Sequence, residues 1–159
     1  MKFRVRKHFV FQSVLVFACV SLVLLLYELF GGIIVASLGA SGFILFVTPH
    51  TQSSRAKNII GGYICGASMG VLFSLLHGFI LSVGFTGTDL TIVFVCAAAA
   101  ASTTFLMVSA NLVHPPSAAL ALGLAADAQS VKTALAALVG ITILCAVRYL
   151  LRKYIKDLI

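Results

Sequence analysis

The sequence predicts an all-α polytopic membrane helix bundle, with four full transmembrane helices and two short broken half-helix segments in a single domain, residues 1–159. Three observations predict it. The 159 residues are 61% hydrophobic and 9% charged, with a mean hydropathy of +1.14, whereas a soluble domain carries about a quarter charged residues. The apolar residues fall in long runs separated by short polar turns. Two of those runs are interrupted, one around Gly39-Ala40-Ser41-Gly42 and one at His114-Pro115-Pro116. The net charge of +7 does not indicate nucleic acid, because the basic residues sit at the chain ends and in one loop, beside apolar segments.

The elements follow in order. Met1 to His8 is a basic tail with Lys2, Arg4, Arg6 and Lys7, followed by an apolar run from Phe9 to Phe30. About 20 residues span a ~30 Å hydrocarbon core. No small-x-small cleavage site follows, so the run is expected to be retained as a helix, with the N-terminus in the cytoplasm. Glu28, at its far end, reads as interfacial, with proton coupling inside the bundle as the functional alternative. Gly31-Gly32 turns the chain into Ile33 to Val47, where Gly39, Ser41 and Gly42 favour an extended break before a short helix beginning near Ser41. Thr48 to Asn58 is a polar loop, and its His50 reads as solvated.

Ile59 to Val83 is the next full span. Gly62, Gly66 and Gly70 lie on one of its faces, the spacing that lets another helix approach closely, so this seam should be the most tightly packed. His77, among Leu and Phe, reads as a hydrogen-bonded or interfacial histidine, with proton coupling again the alternative. Gly84 to Leu90 is a turn. Thr91 to Leu112 is a span whose Ala97 to Ala101 run suits close packing. Asp127 to Lys132 forms a polar turn, and Thr133 to Leu151 is the last span. Arg148, Arg152, Lys153 and Lys156 then place the C-terminus in the cytoplasm. The four cysteines fall in apolar stretches without metal-ligand spacing and read as small packing residues.

Between these spans, Asn111 to Leu120 holds two consecutive prolines that stop a helix near Leu112. Proline is well tolerated in a first helical turn, so a short apolar helix is expected from about Ser117 to Ala126. Non-helical chain survives at membrane depth only where protein or a wet cavity satisfies it, which makes the break a functional candidate. The N–H groups of Ser117, Ala118 and Ala119 would be free there and would favour an anion. His114 and the Ser117 hydroxyl stand beside them, and Asn111 is placed to orient His114. His114 has a structural alternative, bonding a freed carbonyl.

Two topologies fit. If the broken segments re-enter, Arg55 and Lys57 lie outside. If each crosses, six elements result and both lie inside, which obeys the positive-inside rule better. The six-element reading exposes an inverted repeat, residues about 9–83 and 91–151, in which the Gly39 break corresponds to the Pro115-Pro116 break. Paired half-helix N-termini near the bilayer midplane hold anionic substrates in many transporters. On that pattern Ser41, Gly42 and Phe43 would supply the second set of backbone donors.

His114-Pro115-Pro116 followed by small residues resembles the HPP family, small integral membrane proteins of bacteria and plastids. Leu38-Gly39-Ala40-Ser41, Pro49 and Arg55-Ala56-Lys57-Asn58-Ile59-Ile60-Gly61-Gly62 are similar to two further family segments. The sequence departs from the family at Ala56-Lys57-Asn58, at Tyr63 where His is frequent, and at Ser117-Ala118-Ala119. Because plant members are associated with nitrite transport, the resemblance implies passage of nitrite or a similar monovalent anion through the inner membrane. The alternatives are a non-transporting anchoring or regulatory module and, less well supported, a metal or cation carrier using the scattered histidines. No triad, HExxH, phosphate loop or paired carboxylates suggests an enzyme, and no cofactor is implied. The expected partners are the lipid bilayer, a small inorganic anion and further copies of the chain, with no nucleic acid.

Overall fold

The computed structural model describes residues 7–30, 36–84, 89–127 and 130–158; within the first helix it describes the side chains of 10–18, 20, 21 and 25. The N-terminal basic tail, the Gly31-Gly32 turn and the Glu28 side chain lie outside the described residues. Among the described residues six α-helices follow one another: α1 (Lys7–Phe30), α2 (Ala36–Val47), α3 (Ala56–Ser82), α4 (Asp89–Ser109), α5 (Pro116–Ala125) and α6 (Ser130–Leu151), with a 3₁₀ turn at Gln52–Ser54. Among the described residues three helices, Ala56–Ser82, Leu90–Ser109 and Ser130–Leu151, are long and apolar enough to cross a membrane. The two half-helices are 12 and 10 residues long, about 18 and 15 Å.

Hydrogen bonds between distant segments fix the direction of each helix. Gln12 Nε2, near the start of α1, donates to the carbonyls of Phe46 at 2.6 Å and Lys156 at 2.7 Å. The Leu158 N–H donates to the Val47 carbonyl at 3.0 Å. Arg148, near the end of α6, donates to the carbonyls of Ser54 and Pro49. The start of α1, the end of α2, the 48–55 loop and the C-terminal tail therefore gather at one end. At the other end the Ser74 hydroxyl donates to the Asp127 carbonyl at 2.9 Å, and Thr133 bonds the Asp127 carboxylate. It follows that α1, α3 and α5 run one way and α2, α4 and α6 the other. Of the basic residues named at these ends, Arg55, Lys57, Arg148, Arg152, Lys153 and Lys156 share the first and Lys132 occupies the second.

The half-helices occupy the centre. Leu38, Leu45 and Phe46 of α2 and Leu120 and Leu124 of α5 pack with Ile59, Tyr63 and Ala67 of α3 and with Ala134, Ala137, Ile141 and Leu144 of α6. Val95 and Ala99 of α4 close on Ala121 and Ala125 from the other side. Phe94 and Phe105 of α4 point outward, 71% and 72% exposed, as expected of a face turned to lipid. Where α4 meets α5 the facing residues Ala99, Ala121 and Ala125 are small, which suits close helix approach in a medium as apolar as leucine.

The glycine seam on α3 is occupied by α5. A Cβ at Gly62 would lie 2.8 Å from Ser117 Oγ, one at Gly70 would lie 2.6 Å from Leu124 Cβ, and one at Gly66 would collide with the Ser117 carbonyl oxygen.

Two boundaries differ from expectation. The second segment does not break at Gly39. It is helical from Ala36, so Ser41, Gly42 and Phe43 sit in mid-helix rather than at an N-terminus. A lone glycine costs only about 1 kcal/mol relative to alanine, too little to break an apolar helix, and Ser41 stays in register by donating to the Ser37 carbonyl at 2.8 Å. The fourth helix ends at Ser109, before the prolines act. Asn111 adopts a left-handed φ of 53°, the Leu112 N–H donates to Met107 at 2.8 Å, and the Asn111 N–H donates to Val108 at 3.1 Å. This is a Schellman stop with Asn111 as its left-handed residue. Pro115-Pro116 then starts α5.

Candidate functional site

Chain released by the Schellman stop runs through Leu112 and Val113 to His114, which is fully buried. Both ring nitrogens are engaged. His114 Nδ1 lies 2.8 Å from the Ser53 carbonyl, and Nε2 lies 2.9 Å from Ser41 Oγ in the middle of α2. Ser41 Oγ also lies 2.8 Å from the Tyr63 hydroxyl of α3 and 2.8 Å from the Ser37 carbonyl. The Tyr63 and His114 rings are tilted against each other with centroids 5.8 Å apart. One imidazole thus joins the proline break, α2, α3 and the 3₁₀ turn, segments 51 to 73 residues away in sequence.

The proton count of this cluster is informative. A carbonyl only accepts, so Nδ1 carries a proton toward Ser53. If the imidazole is neutral, Nε2 is an acceptor, and the single Ser41 proton must serve either Nε2 or the Ser37 carbonyl. If the imidazole is protonated, Nε2–H donates to Ser41, Ser41 donates to Ser37 and Tyr63 donates to Ser41, so all four contacts are made together. The cluster is one proton short when His114 is neutral.

Two further hydroxyls lie against it. Ser117 Oγ is buried and has no hydrogen-bond partner, while the buried Ser37 Oγ lies near enough to the Tyr63 hydroxyl to act on it. Ser117 Oγ packs directly against Gly62, where an added Cβ would lie 2.8 Å from it and 2.9 Å from His114 Cβ. An unbonded hydroxyl in an apolar interior costs on the order of 1–3 kcal/mol. The described polar side chains here are hydroxyls and one imidazole, with no carboxylate among them.

A family model for the HPP transmembrane region matches residues 2–157. The chain belongs to the HPP transmembrane family. No curated protein and no solved structure matches it. In this HPP chain, Tyr63 stands where the family resemblance leads one to look for His, and its hydroxyl is the third partner of Ser41.

The structure brings together some of the residues singled out from sequence and separates others. His114, Ser41 and Ser117 converge. The Ser117 and Ala118 N–H groups are not free, since they donate to the carbonyls of His114 at 3.0 Å and Pro115 at 3.1 Å. The donors facing the cluster are therefore side-chain hydroxyls, not a row of backbone amides. Ala119 and Phe43 turn outward, and Gly42 packs against α1, where a Cβ would lie 3.1 Å from Val20. Asn111 ends α4 and accepts from Gln52 Nε2 at 3.4 Å. The break lies beside Gly62, six residues into α3 or about 9 Å from its start, rather than at the midpoint of that 27-residue helix. His77 lines a separate cleft with Ser74, Asp127 and Lys132 at the opposite end, remote from a coupling role at His114. Among the described residues no three His, Cys, Asp or Glu side chains are grouped to hold a metal.

Sequence reasoning missed Tyr63, Ser37 and the Ser53 carbonyl. Tyr63 was visible as a polar-tipped residue directly after Gly62 on the seam. Ser37 had a weaker signal, its place one helical turn before Ser41.

Proposed function

We propose that this HPP protein passes a small monovalent anion, nitrite or one of similar size and charge, across the membrane, and that the anion is held in the cluster of His114, Ser41, Tyr63, Ser37 and Ser117. The observation that carries this reading is the buried, unpartnered Ser117 hydroxyl beside His114. It is a donor waiting for an acceptor, and the described side chains around it include no carboxylate to repel an anion. A proton on His114 completes the cluster's internal bonds and adds positive charge, so proton and anion favour each other there. Passage requires the Ser41–His114 bond, which ties the two half-helix segments together, to open.

The wider arrangement supports an inverted repeat with α1 as the fourth full span. A long, a short and a long helix of 24, 12 and 27 residues are followed by helices of 21, 10 and 22. Exchanging the halves carries the α1–α2 packing onto α4–α5, α3–α4 onto α6–α1, and α3–α5 onto α6–α2, all of which are packed pairs. The basic residues at one end support cytoplasmic termini in an inner membrane. Ala97, Ala101 and Thr104 present a small, outward face on α4, which supports a homo-oligomer. A second reading, a non-transporting anchoring module, draws on the same Ser41–His114–Ser53 tie taken as a fixed lock.

The test is nitrite uptake into proteoliposomes, with formate, nitrate and chloride as competitors. Saturable uptake, reduced by competing anions and lost in His114→Ala, is the expected result. Absence of uptake of any anion by folded protein would shift the account to the anchoring module.

A further inference from the structure

A cleft of about 210 Å³ opens at the basic end of the bundle, and the transport reading makes no use of it. Cys145, Arg148, Tyr149 and Arg152 line it from one side, recurring at the three- and four-residue spacing that stacks side chains on one helical face. Pro49 and His50 contribute from the loop. Arg148 is anchored by its bonds to the Ser54 and Pro49 carbonyls, which use two of its five N–H donors. The Arg152 guanidinium lies over the Tyr149 ring, 4.7 Å from the centroid, which holds a second cation on the same face. Two arginines four residues apart on one face repel each other. Asp157 lies close enough to Arg148 to act on it, yet its carboxylate is held by His50, through the backbone N–H at 3.1 Å and Nδ1 at 2.8 Å. Among the described residues no carboxylate lines the cleft. Tyr149, in the lining, is itself 64% exposed, an apolar ring next to a cationic surface.

We propose that this cleft binds the phosphate headgroup of an anionic membrane lipid, with the phosphate between Arg148 and Arg152 and the acyl chains leaving past the exposed Tyr149 ring. Guanidinium groups match phosphate oxygens in a bidentate fork, and basic pockets at the cytoplasmic ends of membrane helices recognise such headgroups. Inorganic phosphate offers the same charge without acyl chains, and the exposed Tyr149 ring at the mouth of the cleft favours the lipid.

The experiment is native mass spectrometry of the purified chain in detergent with equal amounts of dioleoyl phosphatidylglycerol and dioleoyl phosphatidylcholine. Wild type should retain the anionic lipid preferentially, and Arg152→Gln should lower that preference about fivefold, the effect of one basic residue at an anionic surface. Arg148→Gln also releases the 49–55 loop, so Arg152→Gln, whose side chain rests on the Tyr149 ring, carries the test. A ratio near one in wild type, or an unchanged ratio in Arg152→Gln, would overturn the proposal. Millimolar inorganic phosphate should leave the bound lipid in place; displacement would overturn the lipid assignment in favour of a soluble oxyanion.

Discussion

The two half-helices, α2 and α5, have similar lengths and similar apolar composition, yet the chain breaks before α5 and builds a site there, while the Gly39 stretch stays helical within α2. Around α5 the chain carries residues that forbid helix, Pro115 and Pro116, and a residue suited to end one, Asn111 at φ 53°. Around Gly39 it carries only residues that permit an extended chain, and the helix runs through them. A break in an apolar segment therefore follows from prohibition rather than permission. The consequence is chemical: the forbidden stretch exposes His114 and Ser117 to α2 and α3, while the permitted stretch lends Ser41 from the side of an intact helix.

Substitutions can break or sharpen this contrast. The largest effect is expected at Gly66, where α5 leaves no room: Gly66→Ala drives a methyl group into the Ser117 carbonyl and should cost about 1–3 kcal/mol, seen as a lower melting temperature in detergent. Asn111→Ala keeps the β-carbon but removes the short polar side chain that lets asparagine tolerate left-handed backbone, and should cost about 1 kcal/mol, whereas Asn111→Gly should be close to neutral. If both variants melt together, the left-handed stop is not what ends α4. The smallest effect, and of opposite sign, belongs to Gly39→Ala. Nothing lies within 4 Å of an added Cβ there, so the variant should be stabilised by roughly 0.5–1 kcal/mol as an interior helical position. Loss of stability at Gly39 would revive the extended break that the structure replaces with helix.

Much of the fold was legible because the physics of a membrane chain is local and repetitive. Long apolar runs, the Gly62-Gly66-Gly70 ridge and the double proline each carry their meaning within a few residues. His114, Ser41 and Ser117 could be named for the same reason. What joins them could not. The Ser53 carbonyl and the Tyr63 hydroxyl reach His114 and Ser41 across 61 and 22 residues, and no periodicity encodes which carbonyl faces a buried imidazole. The free amides expected at Ser117 and Ala118 vanished for a simpler reason: a helix starting at Pro116 lets its first N–H groups turn back onto His114 and Pro115.

Ser117 is the residue at which stability and function should part. Its hydroxyl is buried without a partner, so removing it should leave the bundle as stable as before or more so, while an anion would lose a donor. The decisive measurement is therefore Ser117→Ala read twice, by melting temperature in detergent and by nitrite uptake in proteoliposomes. The account predicts an equal or higher melting temperature with uptake reduced about tenfold or more, the effect of a lost hydrogen bond to a charged group. A protein that melts lower and transports as well as wild type would contradict it, because the hydroxyl would then serve the fold and not the anion.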